Sequence, residues 1–183
     1  MPLIKKFILI AILTILANQV NAEEVKKLGK HKDWETYVVN SSSGKVCFAQ
    51  SKPVLQAPKN NPREARLFIS FRPGENIKNE ISITSGYNYN NKNSVTAISG
   101  KNKYKFDIIK QNFAWMTDNK FENRMIKTMQ KGSRIMVKAY NQKGSQTIDV
   151  SNPPEYASTI LFFDFIYLAT ICFSSLICLS KAQ

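Results

Sequence analysis

WETYVVNSSSGKVCFAQ, residues 34–50, decides how the rest of the chain is read. Trp34 to Val39 is aromatic and β-branched, which suits a pleated strand better than a helix. Asn40 to Gly44 is turn chemistry, and Lys45 to Gln50 resumes as a second strand, so the two pair as a hairpin. The same alternation of strand and turn continues downstream. Arg66 to Phe71 sets Leu67, Ile69 and Phe71 against Phe68 and Ser70, then stops at Arg72-Pro73-Gly74. Glu80 to Thr84 places Ile81 and Ile83 on one face. Val95 to Ile98, Tyr104 to Ile109, Arg134 to Tyr140 and Gln146 to Val150 complete about eight short strands, spaced at roughly ten residues. This predicts a mainly β fold, a single sandwich or barrel-like domain over 34–152. Lys52 to Pro62, with three prolines and two adjacent asparagines, is expected to be loop. Tyr87 to Asn93 is expected to be a solvated hairpin tip.

One helix interrupts the strands. Asp118 or Asn119 can cap it, Phe121, Met125 and Met129 recur at four-residue spacing, and Gly132 can end it in a left-handed cap. Lys120, Arg124, Lys127 and Lys131 fall largely on the other side. They form a candidate contact with anionic surfaces. The competing reading is a cover helix that packs its apolar side on a sheet end, because about twelve residues are marginal as a helix without packing.

Outward from this domain lie two apolar segments. Lys5 and Lys6, then Phe7 to Ala17, then Val20-Asn21-Ala22 are the parts of a secretory signal peptide, with cleavage expected after Ala22. Glu23 to Asp33 is charged and without periodicity, and is expected to be a flexible arm. Ile160 to Leu179 is nearly unbroken apolar sequence, interrupted by Asp164. It is long enough to span a bilayer, which takes roughly 20 residues. It reads either as a single membrane helix or as a tail from a shifted reading frame. In both cases it is expected not to pack into the β-domain, because a half-buried strand alternates and this run does not.

The chain carries 26 Lys plus Arg against 13 Asp plus Glu, a formal +13. With Lys5 and Lys6 removed the excess is +11. Such a balance favours anionic partners, or reflects lysines accumulated on solvated faces. The basic residues are scattered, and an exported protein meets little nucleic acid, so no specific nucleic-acid partner is expected. Cys47 is the sole cysteine before the apolar tail, which holds Cys172 and Cys178. Cys47 is therefore expected to be an unpaired strand cysteine or one that has lost its partner. His31 is the only histidine, no CxxC or HxxxH spacing occurs, and no nucleophile or nucleotide-binding motif is present. No metal or cofactor is expected, and the chain reads as a non-enzyme.

Seven short pieces in order carry a family likeness. They are Lys45-Val46-Cys47-Phe48-Ala49-Gln50-Ser51-Lys52-Pro53, Phe68-Ile69-Ser70-Phe71-Arg72-Pro73, Asn79-Glu80-Ile81-Ser82, Gly86-Tyr87-Asn88-Tyr89, Phe113-Ala114-Trp115, Met129-Gln130-Lys131-Gly132, and Lys143-Gly144-Ser145-Gln146-Thr147-Ile148-Asp149. Across Trp34 to Val150 the chain resembles the invasion-associated locus B family of alphaproteobacterial exported proteins. The resemblance implies an exported β-rich domain linked to entry into host cells, in the periplasm, envelope or medium, with no catalytic residues to carry over. After Val150 the chain departs from the family pattern. A short strand and often a late cysteine are expected there, whereas Ser151-Asn152-Pro153-Pro154 leads into the apolar run.

Overall fold

The computed structural model describes residues 24–41, 44–154 and Cys172. The expected signal peptide, and the 160–179 segment apart from Cys172, lie outside the described residues. The described residues form twelve strands: β1 (Val25–His31), β2 (Trp34–Ser41), β3 (Gly44–Ser51), β4 (Leu55–Ala57), β5 (Arg66–Arg72), β6 (Ile77–Thr84), β7 (Val95–Ser99), β8 (Asn102–Phe106), β9 (Ile108–Lys110), β10 (Phe113–Trp115), β11 (Ile135–Tyr140) and β12 (Gln146–Ser151). A helix, α1 (Asn119–Met129), lies between β10 and β11.

All pairings are antiparallel. A seven-stranded sheet runs β1-β2-β3-β5-β6-β10-β9, and a five-stranded sheet runs β4-β12-β11-β7-β8. The fold is mainly β and sandwich-like. Alternation places Leu67, Ile69, Phe71, Ile81 and Ile83 of the larger sheet in one core with Val95, Ala97, Tyr104, Phe106, Ile135 and Val137 of the smaller. Full burial of each aliphatic side chain contributes roughly 1.5–3 kcal/mol. The 34–51 hairpin forms, with Trp34 opposite Ser51 and Val38 opposite Cys47.

Several expectations are corrected. Residues 25–31 are not a flexible arm but an edge strand paired to β2, joined to it by only Lys32 and Asp33. Neither face of β1 is well buried, so no apolar period marks it. Its lysines are edge chemistry that discourages pairing with another chain. The stretch 52–62 contains the three-residue β4, bonded to β12. Tyr104 to Ile109 is two strands in different sheets. Tyr104 and Phe106 enter the core in β8, whereas Ile108, 48 % exposed, belongs to β9 at the far edge of the larger sheet. β10 adds a further strand at Phe113–Trp115. The 87–93 segment is not a solvated tip, because Tyr89 is a core residue whose hydroxyl donates to Ser85 Oγ at 3.1 Å. Gly86 ahead of it has φ +77°, and a Cβ there would sit 2.8 Å from the Glu64 backbone nitrogen.

Asp118 caps α1 by accepting from the Lys120 N–H at 2.8 Å, and Gly132, with φ +79°, follows its C-terminus. The helix packs on β6, β7 and β8 through Glu122, Met125, Ile126 and Met129. Phe121, in the first turn and only about 40° round the helix from Met125, is 47 % exposed, whereas Met125 and Met129 are fully buried.

The largest correction concerns the cysteines. Cys47 is neither unpaired nor without a partner, since it forms a disulfide with Cys172, 125 residues away, with their Cα atoms 6.4 Å apart. Cys172 is 2 % exposed and belongs to the core cluster. The expectation that the 160–179 segment stays out of the β-domain therefore fails at this residue. A residue bonded inside the domain core cannot also lie at the midplane of a bilayer. No helix among the described residues is long and apolar enough to cross a membrane.

Candidate binding site

The residues that alternate out of phase with the core form the outer face of the seven-stranded sheet. Phe48 lies between inward Cys47 and Ala49, Phe68 between Leu67 and Ile69, and Phe113 and Trp115 flank Ala114. Strand register aligns them. Tyr37 stands opposite Phe48, Gln50 opposite Phe68, Phe68 opposite Ser82, and Ser82 opposite Trp115. A row of aromatic rings results. Neighbouring centroids are 5.1 Å apart from Tyr37 to Phe48, 6.1 Å from Phe48 to Phe68, 5.8 Å from Phe68 to Phe113 and 5.6 Å from Phe113 to Trp115. All five rings are only partly buried. Aromatic neighbours at these distances gain about 0.5–1.5 kcal/mol per pair beyond burial. A contiguous, partly exposed apolar patch of this kind is a candidate interaction surface.

Polar groups close both ends of the row. At the β1–β3 end, Glu35 accepts from Lys27 Nζ at 2.5 Å, from Tyr37 Oη at 2.9 Å and from Gln50 Nε2 at 3.2 Å. Lys27, then Tyr37, hold the Glu35 carboxyl down to about 2. At the other end Arg72 forms a two-toothed pair with Glu80, at 2.8 and 2.7 Å, and its Nε donates to Glu75 at 3.0 Å. The Glu80 carboxylate raises the Arg72 guanidinium above its ordinary value.

Beside this pair opens a cleft of about 470 Å³ lined by Arg72, Glu80, Lys110, Trp115, Asn119 and Glu122. A shallower hollow of about 270 Å³ runs on from it along Trp115, Phe113, Phe68 and Phe48. Clefts of about 300–1,000 Å³ are the size that holds small ligands. Glu122 sits there for a local reason. β10 ends at Trp115 opposite Ser82, so the next backbone N–H of β6, that of Ile81, donates at 2.9 Å to Glu122 Oε1 instead of to a strand. Burial pushes the Glu122 carboxyl up to about 7, against the pull of the Ile81 N–H.

Lys120, Arg124, Lys127 and Lys131 are all exposed and spaced to form one stripe along and just past α1. The Arg124 guanidinium lies 5.5 Å from the Phe121 ring centroid. The stripe is on the side of the helix opposite Glu122, Met125 and Met129. Cys47 is on the inner face of β3 and takes no part in the aromatic row. Among the described residues no three His, Cys, Asp or Glu side chains converge to hold a metal ion. Sequence reasoning did not single out Tyr37, Phe48, Phe68, Arg72, Glu80, Phe113, Trp115 or Glu122 as a site. The available signal was the aromatic residue at the out-of-phase position of one strand after another.

No family model matches the chain, and no curated protein or solved structure matches it.

Proposed function

We propose that this chain is an exported, non-enzymatic binding module of a bacterial envelope, or secreted from it, that engages a host-cell surface. The observation that carries the reading is the outward aromatic row. A surface that leaves Tyr37, Phe48, Phe68, Phe113 and Trp115 together partly open to solvent forgoes burial a sandwich could have gained, and recognition accounts for that cost. Two further observations support export. The first 22 residues have the layout of a signal peptide. A disulfide also joins distant parts of the chain, as suits an oxidising compartment. Host interaction rests on the sequence resemblance described above. The exposed stripe of Lys120, Arg124, Lys127 and Lys131 supplies a weak contact with anionic groups of the same surface. The test is a deletion strain scored for adhesion and entry, complemented with the wild-type gene. Adhesion and entry should fall and be restored; unchanged values would reject the host-interaction reading. A change confined to envelope integrity would instead favour a purely structural envelope module.

One observation favours a second reading, an enzyme of the same compartment. Glu80 and Glu122 line one cleft, and Glu122 titrates near the pH at which a general acid works. Against it, both Glu80 oxygens are engaged by Arg72, which leaves one carboxyl group for proton transfer. Assay of the mature chain against chromogenic glycosides and esters decides between them. A rate that vanishes in Glu122→Gln would establish the enzyme.

A further inference from the structure

The charges bordering the aromatic row are matched, although the chain as a whole is strongly basic. Lys27 pairs with Glu35, Arg66 with Glu64, and Arg72 with both Glu75 and Glu80. Within the cleft, two cations (Arg72 and Lys110) face two carboxyl groups (Glu80 and Glu122). Most of the net excess of +13 therefore lies elsewhere, including the α1 stripe. A polyanion gains little on this face, and carboxyl groups in the cleft oppose it. A purely apolar ligand is also a poor fit. Ser70 and Ser82 lie among the rings, Gln50 stands at one end, and the cleft is floored by a two-toothed ion pair.

A ligand that suits these groups has flat apolar faces and hydroxyl-bearing edges, and carries no net charge. Its faces lie on aromatic rings, and adjacent hydroxyls present paired donors and acceptors to a carboxylate and a guanidinium. Sugar rings have this shape. Because Trp115 lines both the cleft and the hollow, the two form one continuous path, and its rings recur at near-constant spacing as the units of a chain would require. We infer that the cleft beside Trp115 and the adjoining row over Phe113, Phe68 and Phe48 bind a neutral oligosaccharide chain carried on the host-cell surface. This rests on the binding-module reading and gives it a ligand class. Cys172 lies on the other side of the sheet, since it is bonded to inward-facing Cys47 while neighbouring Phe48 points out.

The experiment titrates the mature chain with β-linked di- and tetrasaccharides of glucose, galactose and N-acetylglucosamine, with heparin as the polyanion control. Intrinsic fluorescence reports on the site, because Trp34 is buried and Trp115 is the accessible indole. At least one neutral tetrasaccharide should bind, protect Trp115 from acrylamide quenching, and be insensitive to salt. Trp115→Ala should weaken binding by about tenfold or more. Phe68→Ser should weaken the tetrasaccharide more than the disaccharide, and keeps the test open should Trp115→Ala not fold. Replacing Lys101 and Lys103, exposed at the edge of the smaller sheet, with Gln should change nothing for the neutral sugar. The inference is overturned if no neutral saccharide binds at about 1 mM, or if only heparin binds and does so in a salt-sensitive way. It is also overturned if the mature chain binds host cells equally well after enzymatic removal of their surface glycans, an outcome that leaves the binding-module reading standing. Failure of the wild-type chain to bind cells at all would reject that reading instead.

Discussion

Cys47 of β3 is bonded to Cys172, which tethers a residue beyond the last strand to the inner face of the larger sheet. The link closes a loop of 125 residues around nearly the whole sandwich. Cross-links that close long loops restrict the unfolded chain most. Cys47→Ala with Cys172→Ala should therefore lower stability by about 2–5 kcal/mol, read from the urea midpoint. A non-reducing peptide map should recover one cross-linked fragment containing both residues. An unchanged midpoint would mean that the tether contributes nothing.

A second long-range clamp is ionic. Arg63 donates to Asp149 at 2.6 Å with both side chains almost fully buried, 4 % and 5 % exposed, and Gln56 bonds both Asp149 and the Arg63 backbone. It holds the proline-rich 52–63 segment against β12. Removing one partner strands the other charge, so Asp149→Leu or Arg63→Met should each cost about 3–5 kcal/mol in chemical denaturation. The double variant should cost less than either single one, because a buried pair gives back little more than its own desolvation. Additive losses would contradict this.

Much of the fold is legible in the sequence because burial on one face leaves a period of two. Leu67, Ile69 and Phe71 show it, as do Ile81 and Ile83, and the 34–51 hairpin follows from its turn. What escapes has no such period. β1 buries neither face, and β4, β9 and β10 are three residues each. The 104–108 run keeps its alternation of residue types while crossing between sheets at Asp107. On α1, the four-residue spacing finds the two buried methionines, Met125 and Met129, but takes in exposed Phe121 and passes over Glu122, a polar residue on the buried face. The site was less legible than the fold. Arg72, Glu80, Trp115 and Glu122 come from three strands and a helix, and no local pattern brings them together. Cys172 was hidden by its surroundings, an apolar run whose hydropathy suggests a membrane and says nothing of a disulfide.

Glu122 predicts a pH dependence. Its folded value of about 7 lies above the ordinary 4.5, so the folded state holds this proton more tightly than the unfolded one. Its contribution is fully present below about 4.5 and is lost as pH rises through about 7, a fall on the order of 3 kcal/mol. Glu122→Gln, which can still accept from the Ile81 N–H, should flatten the stability profile over that window. Glu35 has the opposite sign. Held down to about 2, it supports the fold above the unfolded carboxylate range and loses that support as pH falls through about 2. A Glu122→Gln profile parallel to wild type between pH 4.5 and 7 would contradict the assignment.

The α1 stripe separates from the aromatic row by its salt dependence. Exposed charges are screened beyond about 8 Å at physiological ionic strength, so binding to heparin or anionic vesicles should fall sharply from low to physiological salt. Changing Lys120, Arg124, Lys127 and Lys131 together to Gln should abolish that binding, as read by column retention and vesicle co-sedimentation. Retention that persists unchanged would place the basic contact elsewhere on the chain.

The most direct measurement is the binding of fluorescently labelled mature chain to intact host cells. It compares wild type, the α1 Gln variant, and an outer-face variant combining Phe48→Ser, Phe68→Ser and Trp115→Ala, with folding checked by circular dichroism. Loss of about tenfold or more in affinity for the outer-face variant is predicted, with the α1 variant altering mainly the salt dependence. A folded outer-face variant that binds as wild type does would contradict the account.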